Sequence, residues 1–251
     1  MSDRSKIEWT EATWNPTTGC DRVSIGCDNC YALRLAARLK AAGNRRYQVD
    51  GNPKTSGPGF GLTLHWDKVD QPLHWRSPRV IFVNSMSDLF HSDIPKRFIR
   101  AVFDVMAATL HHRYQILTKR PGRMASILRR LQPEPLPNVW LGTSIEHDHF
   151  AWRADRVRET PASVRFLSLE PLLGPLPSLD LDGIDWAIVG GESGPGHRTI
   201  EEAWVRDLRD RCTEAGVAFF FKQWGGRTPK AGGRLLDGRT WDQMPSALTR
   251  A

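Results

Sequence analysis

Short apolar runs rich in β-branched residues alternate with amphipathic stretches along most of the chain. The run RVIFVN (79–84) reads as a strand buried on both faces. From about Pro95 to Leu110, Phe98, Ile99, Val102, Phe103, Met106 and Leu110 share one helical stripe, with Ser92 or Asp93 as the expected cap. YQILT (114–118) is a second strand, and the helix opening at Pro121 carries Met124, Ile127, Leu128 and Leu131 on its apolar face. NVWLGT (138–143) precedes a helix with Phe150, Ala154 and Val157. RFLSL (165–169) and DWAIVG (185–190) are joined by the Pro/Gly-rich link PLLGPLPSLDLDG, which has no long helix. Thr199 and Glu202 form a capping box for a helix turning Trp204, Val205, Leu208 and Cys212 inward. Gly216 ends that helix, and VAFFF (217–221) is the last core strand. ATWN (12–15) adds a seventh strand to these six.

Strand–helix alternation implies parallel strands with right-handed crossovers, in a complete or partial β/α barrel or a doubly wound open sheet. The barrel is favoured because polar segments follow successive strands: NSMSD, LTKR, TSIE, SLEP and GGESG. Such positions converge on the carboxyl-end face, where barrels build their sites. Residues 44–78 are Gly/Pro-rich and longer than an ordinary connection, which marks a lid or substrate loop. Asp237-Gly238 signals a small C-terminal hairpin over 232–242. No repeat or boundary divides residues 1–251, so a single domain is expected.

Composition is that of an ordinary globular protein, 40% hydrophobic and 25% charged. No apolar run approaches membrane-spanning length and the start lacks a signal-peptide core, so a cytoplasmic location with no membrane partner is expected. The formal charge of +7 is unevenly spread, with 21 basic and 11 acidic groups in residues 1–130. A basic face attracts polyanions such as nucleic acid; a solubility charge is the alternative. Arg45, Arg46, Lys119, Arg120 and Arg123, with Arg129 and Arg130, are the candidate phosphate contacts. Tyr47, Phe60 and Trp66 of the long loop are candidates to hold a base.

Cys20, Cys27 and Cys30 lie within eleven residues, whereas Cys212 stands alone and reads as a small buried hydrophobe. The C-x6-C-x2-C arrangement of WNPTTGCDRVSIGCDNCYA offers three thiolates and no obvious fourth, which suits a 4Fe–4S cluster with one open iron. Zinc is the competing reading, with His65, His74 or His91 completing a tetrahedral site.

The phrases WNPTTGC, GCDNCYA, FVNSMSDLFH, ILTKRP, WLGTSIE, RFLSLEPLLGP, WAIVGGESGPG, FFKQWGG and LDGRTWDQMP resemble a bacterial and phage-encoded three-cysteine family with no assigned function. More remotely, the three-cysteine loop before β/α units resembles the radical S-adenosylmethionine (SAM) superfamily, although the usual spacing there is C-x3-C-x2-C. That resemblance implies a 4Fe–4S cluster, SAM and an electron donor. By place in the barrel it implies that Asn84, Ser85 and Asp88 hold the SAM amino group, and that Ser144 and Glu146 contact ribose. Ser168 and Glu170 would face the same cavity, and Gly190, Gly191 and Glu192 would lie against adenine or carboxylate. Glu170 and Lys119 are the candidate catalytic groups; pairing of Glu170 with a rim cation and solvation of Lys119-Arg120 are the structural alternatives. Two other functions compete: a zinc-stabilised nucleic-acid-binding protein without catalysis, and a metal-dependent hydrolase or nuclease using Asp88, Glu146, Glu170 and Glu192.

Overall fold

Each crossover connection returns the chain to the same end of the sheet, so every core strand runs parallel to its predecessor. The computed structural model describes Ser5, residues 7–228 and residues 231–245. In chain order the elements are β1 (Ala12–Trp14), β2 (Thr17–Thr18), α1 (Tyr31–Ala41), β3 (Thr63–Leu64), β4 (Val80–Val83), α2 (Lys96–Ala108), β5 (Arg113–Thr118) and α3 (Pro121–Leu131). They continue with β6 (Val139–Ser144), α4 (Arg153–Arg158), β7 (Val164–Leu169), β8 (Trp186–Gly190), α5 (Glu202–Glu214) and β9 (Ala218–Gln223). The main sheet has seven strands in the order β1-β4-β5-β6-β7-β8-β9, all parallel, with β1 and β9 at its two edges. The expected barrel is therefore a partial one. Among the described residues no helix is long and apolar enough to cross a membrane.

Alternation along the strands divides the core between two faces. Ile81, Val83, Tyr114, Ile116, Val139 and Leu141 pack outward on Phe98, Ile99, Val102, Met106, Met124 and Leu128. Leu167, Leu169, Ala187, Val189, Phe219 and Phe221 do the same against Val205, Leu208 and Cys212, which is buried as the sequence implies. On the concave face Phe82, Trp140, Val164, Phe166, Trp186, Ile188 and Phe220 form an aromatic floor with Trp9. The Trp9 ring lies 4.8 Å from Phe82 and 6.0 Å from Trp186, so the N-terminal segment bridges the concavity between β4 and β8.

Gly142 leaves room for that floor. A Cβ at this position would lie 2.6 Å from the Phe166 ring and from the Phe166 carbonyl. Gly142→Ala is accordingly expected to cost about 1–3 kcal/mol through overpacking. Chemical denaturation is the measurement; an unchanged midpoint would mean the Phe166 strand yields without strain.

Several expectations need correction. α2 begins at Lys96 with Pro95 in extended conformation (ψ 143°) as its cap residue, not Ser92 or Asp93. Proline disfavours helical geometry at the residue before it, which keeps Ile94 and its predecessors outside the helix. The same helix stops at Ala108, leaving Leu110 59% exposed rather than on the stripe. Thr199 is not the cap of α5; Glu201 occupies that place without a side-chain bond, while the preceding Ile200 is buried in the core. The helix with Phe150 divides into a 3-10 turn, Asp148–Phe150, and the short α4. Helix α1, which the pattern does not anticipate, buries Ala32 and Ala36 on one face.

The long segment 44–78 is partly built in. β3 pairs antiparallel with β2, and Trp66 packs edge-on to Phe98 at 4.7 Å. The C-terminal hairpin is a tight turn in which Asp237 (φ 52°) and Gly238 (φ 75°) reverse the chain between bridged Leu236 and Arg239.

Candidate functional site

Two to four residues beyond the floor positions, toward the carboxyl ends of the strands, the concave face turns polar. By strand alternation these positions are Asn15, Asn84, Lys119, Ser144, Ser168, Glu170 and Lys222. Lys222 Nζ donates to both Glu170 oxygens, at 2.7 and 3.0 Å, which joins the ends of β7 and β9. Gly190 stands between them; a Cβ there would meet the Glu170 carboxyl at 3.3 Å.

The cysteine loop crosses this face. β2 delivers the chain to Gly19, whose φ of 88° and close approach to the Gly61 carbonyl admit only glycine. Cys20 follows, Cys27 ends a 3-10 turn, and Cys30 caps the start of α1. Three carboxylates from three strand ends fasten the loop. Asp88 accepts from Phe90 N (2.9 Å), Thr118 Oγ1 (2.7 Å) and Lys119 N (3.0 Å), and pairs with Arg120 Nη1 at 3.1 Å. Arg120 in turn donates to Cys20 Sγ (3.5 Å) and to the Asp21 carbonyl (3.2 Å). Glu146 accepts from Gly26 N at 3.3 Å and is paired at 3.0 Å with buried Arg153. Glu192 accepts from Asn29 Nδ2 at 2.8 Å and binds Arg198, which reaches the Ile25 carbonyl at 3.0 Å. Burial alone pushes Glu192 up, but Arg198 and Asn29 together hold its carboxyl below the usual range.

A fourth attachment ties the cysteine loop to the long segment 44–78. Asp21 accepts from Thr55 Oγ1 at 2.5 Å and Ser56 Oγ at 3.2 Å, and lies 2.9 Å from His91 Nε2. The Asp93 N–H points at His91 Nδ1 (3.3 Å), which leaves the ring proton on Nε2 for Asp21.

Burial pushes the Cys20 thiol up to about 12; the Asp88 charge adds to this and the Arg120 guanidinium opposes it. Cys30 is raised for the same first reason, against the Ala32 N–H and the Lys119 charge. The donor set fits an iron–sulfur cluster in its chemistry: three thiols on one loop, an N–H donor already directed at one sulfur, and Cys212 remote behind β9. Among the described residues no three His, Cys, Asp or Glu side chains are grouped as a single-ion site. The histidines proposed for zinc are otherwise engaged. His91 holds Asp21 and Asp93, His65 Nε2 lies 2.9 Å from Thr18 Oγ1, and His74 lies 3.4 Å from Asp70.

The sequence-predicted residues thus fall into two sets. Asp88, Glu146 and Glu192 grip the cysteine loop, and with Glu170 each faces its own cation, so the four carboxylates of the hydrolase reading are dispersed. Asn84 Nδ2 is buried without a partner, and its backbone is left-handed at φ 61°. Among the described residues the Ser144, Ser168 and Lys119 side chains also form no hydrogen bond. Ser85 is bonded to Asn15 (3.1 Å), and its carbonyl accepts the Tyr31 hydroxyl. Gly191 lies against the Trp224 carbonyl, where the chain leaves β8 beside the end of β9. Of the basic residues, Arg120 faces the cysteine loop and Arg123 holds the Ile94 carbonyl at 2.8 Å, while Arg45 is exposed and Arg46 half-buried. Tyr47 and Phe60 are buried with Met86, which leaves Trp66 as the exposed aromatic of the three. The sequence reading omits Asn29, Arg153 and Arg198. Asn29, between two of the cysteines, was the only one with a positional signal.

An open parallel β/α half-barrel with a cysteine loop fastened over its carboxyl end defines the class of this protein. Residues 4–245 match the family described as "Protein of unknown function (DUF5131)", and the chain belongs to that family. No curated protein matches the sequence. Among solved structures it is similar to spore photoproduct lyase complexed with dinucleoside spore photoproduct, at 13% identity and a TM-score of 0.50. Cysteine-to-serine and tyrosine-to-phenylalanine variants of that lyase match at 15% and 13% identity, each with a TM-score of 0.51. Every match covers 85% of this chain and 64% of the lyase chain. At these identities the likeness is one of fold.

Proposed function

We propose that this chain is a radical SAM-like enzyme that carries a 4Fe–4S cluster on Cys20, Cys27 and Cys30 and acts on nucleic acid or a nucleotide. The observation that carries the reading is the cysteine loop, clamped over the polar end of the half-barrel by Asp88, Glu146 and Glu192. Its fold is shared with spore photoproduct lyase, a radical SAM enzyme, and one of those lyase structures holds a dinucleoside spore photoproduct. The basic first half of the chain supports the choice of a polyanionic substrate.

A cluster held by Cys20, Cys27 and Cys30, reduced by an external electron donor, would together with SAM supply one-electron radical chemistry to the substrate. This chain's own residues bind and orient. Asn84 Nδ2 offers an unused donor to a carboxylate or ribose oxygen, and the Ser144 and Ser168 hydroxyls suit ribose. The Trp140, Phe166, Trp186 and Phe220 floor excludes water from below. Glu170 and Lys222 present a fixed carboxylate–ammonium pair to a ligand lying across β7–β9.

Anaerobic reconstitution with iron and sulfide, followed by metal analysis and incubation of the reduced protein with SAM, tests the reading. The expected result is about four iron and four sulfide per chain, with 5′-deoxyadenosine released slowly without substrate. One zinc and no iron would overturn it, as would a full cluster that yields no 5′-deoxyadenosine.

A further inference from the structure

Between the end of α1, the 3-10 turn Arg45–Tyr47 and β2 lies a cavity of about 300 Å³, lined by Asn15, Thr18, Leu39, Asn44, Arg46 and Tyr47. Its wall is largely fixed by internal bonds. Asn15 Oδ1 accepts from Met86 N at 3.1 Å and from Ser85 Oγ at 3.2 Å. Thr18 Oγ1 donates to the Arg46 carbonyl at 3.3 Å, and Asn44 Oδ1 accepts from Arg46 N at 3.1 Å.

Three polar groups at this wall are uncommitted. Among the described residues the Arg46 guanidinium forms no hydrogen bond or ion pair, and neither the Tyr47 hydroxyl nor Asn44 Nδ2 has a partner. Arg45, beside them, is exposed and likewise uncommitted. In the downstream basic patch Arg120 is committed to Asp88 and Cys20, Arg123 to Ile94, and Arg129 lies 3.6 Å from Glu159, while among the described residues the Lys119 and Arg130 side chains form no hydrogen bond or ion pair. The available cations of the basic half thus include Arg46 at this cavity, with Arg45 next to it in the chain. The cavity also adjoins the proposed reaction site. Asn15 bonds Ser85, and the Ser85 carbonyl holds the hydroxyl of Tyr31, the residue after Cys30.

We infer that this cavity is a nucleotide subsite. Arg46 takes the phosphate, the Leu39 and Tyr47 side chains cover sugar or base, and the Tyr47 hydroxyl and Asn44 amide meet its polar edge. A guanidinium suits phosphate through paired N–H donors. The volume exceeds what a bare phosphate fills and lies at the lower end of organic-ligand pockets. The assignment deepens the nucleic-acid reading proposed above and rests on it.

Calorimetry on the cluster-loaded protein with adenosine 5′-monophosphate, adenosine and inorganic phosphate tests the assignment, alongside anisotropy with labelled single-stranded DNA and RNA. The monophosphate is expected to bind more tightly than either fragment, and Arg46→Ala to weaken it about tenfold or more. Arg46→Lys should restore part of the loss, and Leu39→Trp, which fills the cavity, should block binding while melting temperature and cluster absorbance are retained. On single strands Arg46→Ala should reduce the salt slope by about 0.7, whereas Arg156→Ala, on α4 and paired with Glu159, should change affinity less than twofold. Strands that bind equally well to wild type and Arg46→Ala would overturn the subsite and leave the nucleic-acid reading intact. Inorganic phosphate binding as tightly as the nucleotide would also overturn it, as a plain anion site. Absence of binding by nucleotide and strand alike at low salt would remove both.

Discussion

Serine at Cys20, Cys27 or Cys30 is expected to abolish the iron–sulfur absorbance of the reconstituted protein, while Cys212→Ser leaves it intact. The hydroxyl keeps the size of the side chain and loses the soft thiolate that holds iron, so the loss tests ligation. Cys212 sits at zero exposure between α5 and β9. Serine there buries a hydroxyl in an apolar core at a cost of about 1–3 kcal/mol, which lowers the melting temperature without touching the metal. The two classes of variant therefore separate by readout: colour and iron content for the loop, stability for the core. In the metal-free protein, burial places the Cys20 thiol at about 12, so at neutral pH the proton must leave before iron binds. Metal binding releases protons and gains affinity as pH rises toward the thiol values, so loading yield should climb between pH 7 and 9. A Cys20→Ser protein that holds the full cluster, or a Cys212→Ser protein that loses it, would reassign the ligands.

The seven core strands were legible because each carries its own apolar run and because floor positions alternate with outward ones. Phe82, Trp140, Phe166 and Phe220 point to the concave face, and Asn84, Ser144, Ser168 and Lys222, two or four places further on, share it. Helix α1 was hidden for a local reason. Cys30 occupies its cap position in place of a Ser, Thr, Asp or Asn, and its fully buried stripe is only Ala32 and Ala36. Its stop signal was present in Gly43 (φ 74°), whose N–H bonds the Lys40 carbonyl at 2.9 Å. The inner architecture of the long loop was hidden for a different reason: β2 and β3 are two residues each, too short for any period.

At the site, the residue types were legible and their division of labour was not. Carboxylates after strands point to a ligand face, and the structure instead turns three of them onto the cysteine loop. The partners are remote in sequence: Arg120 is 32 residues from Asp88, Gly26 is 120 from Glu146, and Asn29 is 163 from Glu192. No local pattern distinguishes a carboxylate that meets such a partner from one that faces a ligand. This arrangement leaves Asn84 Nδ2 and, among the described residues, the Ser144 and Ser168 hydroxyls without partners on the same face.

Arg120→Gln is expected to do two separable things: destabilise the fold and shift the cluster potential downward. Asp88 and Arg120 are both largely buried, and removal of one partner of a buried pair typically costs about 3–5 kcal/mol. Asp88 retains donors from Phe90, Thr118 and Lys119, which places the expected loss near the lower end, about 3 kcal/mol. The redox effect follows from the hydrogen bond to Cys20 Sγ. Reduction adds negative charge to cluster and thiolates, so a cationic N–H donor stabilises the reduced form and raises the potential. If the difference between redox states is about 1.4 kcal/mol, its loss lowers the one-electron midpoint by about 59 mV. Asp88→Asn removes a negative charge near Cys20, which raises the potential, and frees the Arg120 that donates to the sulfur, which lowers it, so its shift should be smaller than that of Arg120→Gln. Potentiometric titration followed by electron paramagnetic resonance reads the shift, and urea denaturation reads the stability. Lys at position 120 retains charge without the fork and should recover only part of the potential. A variant with lowered stability and an unaltered midpoint would confine Arg120 to holding Asp88 and the Asp21 carbonyl, with no influence on the cluster.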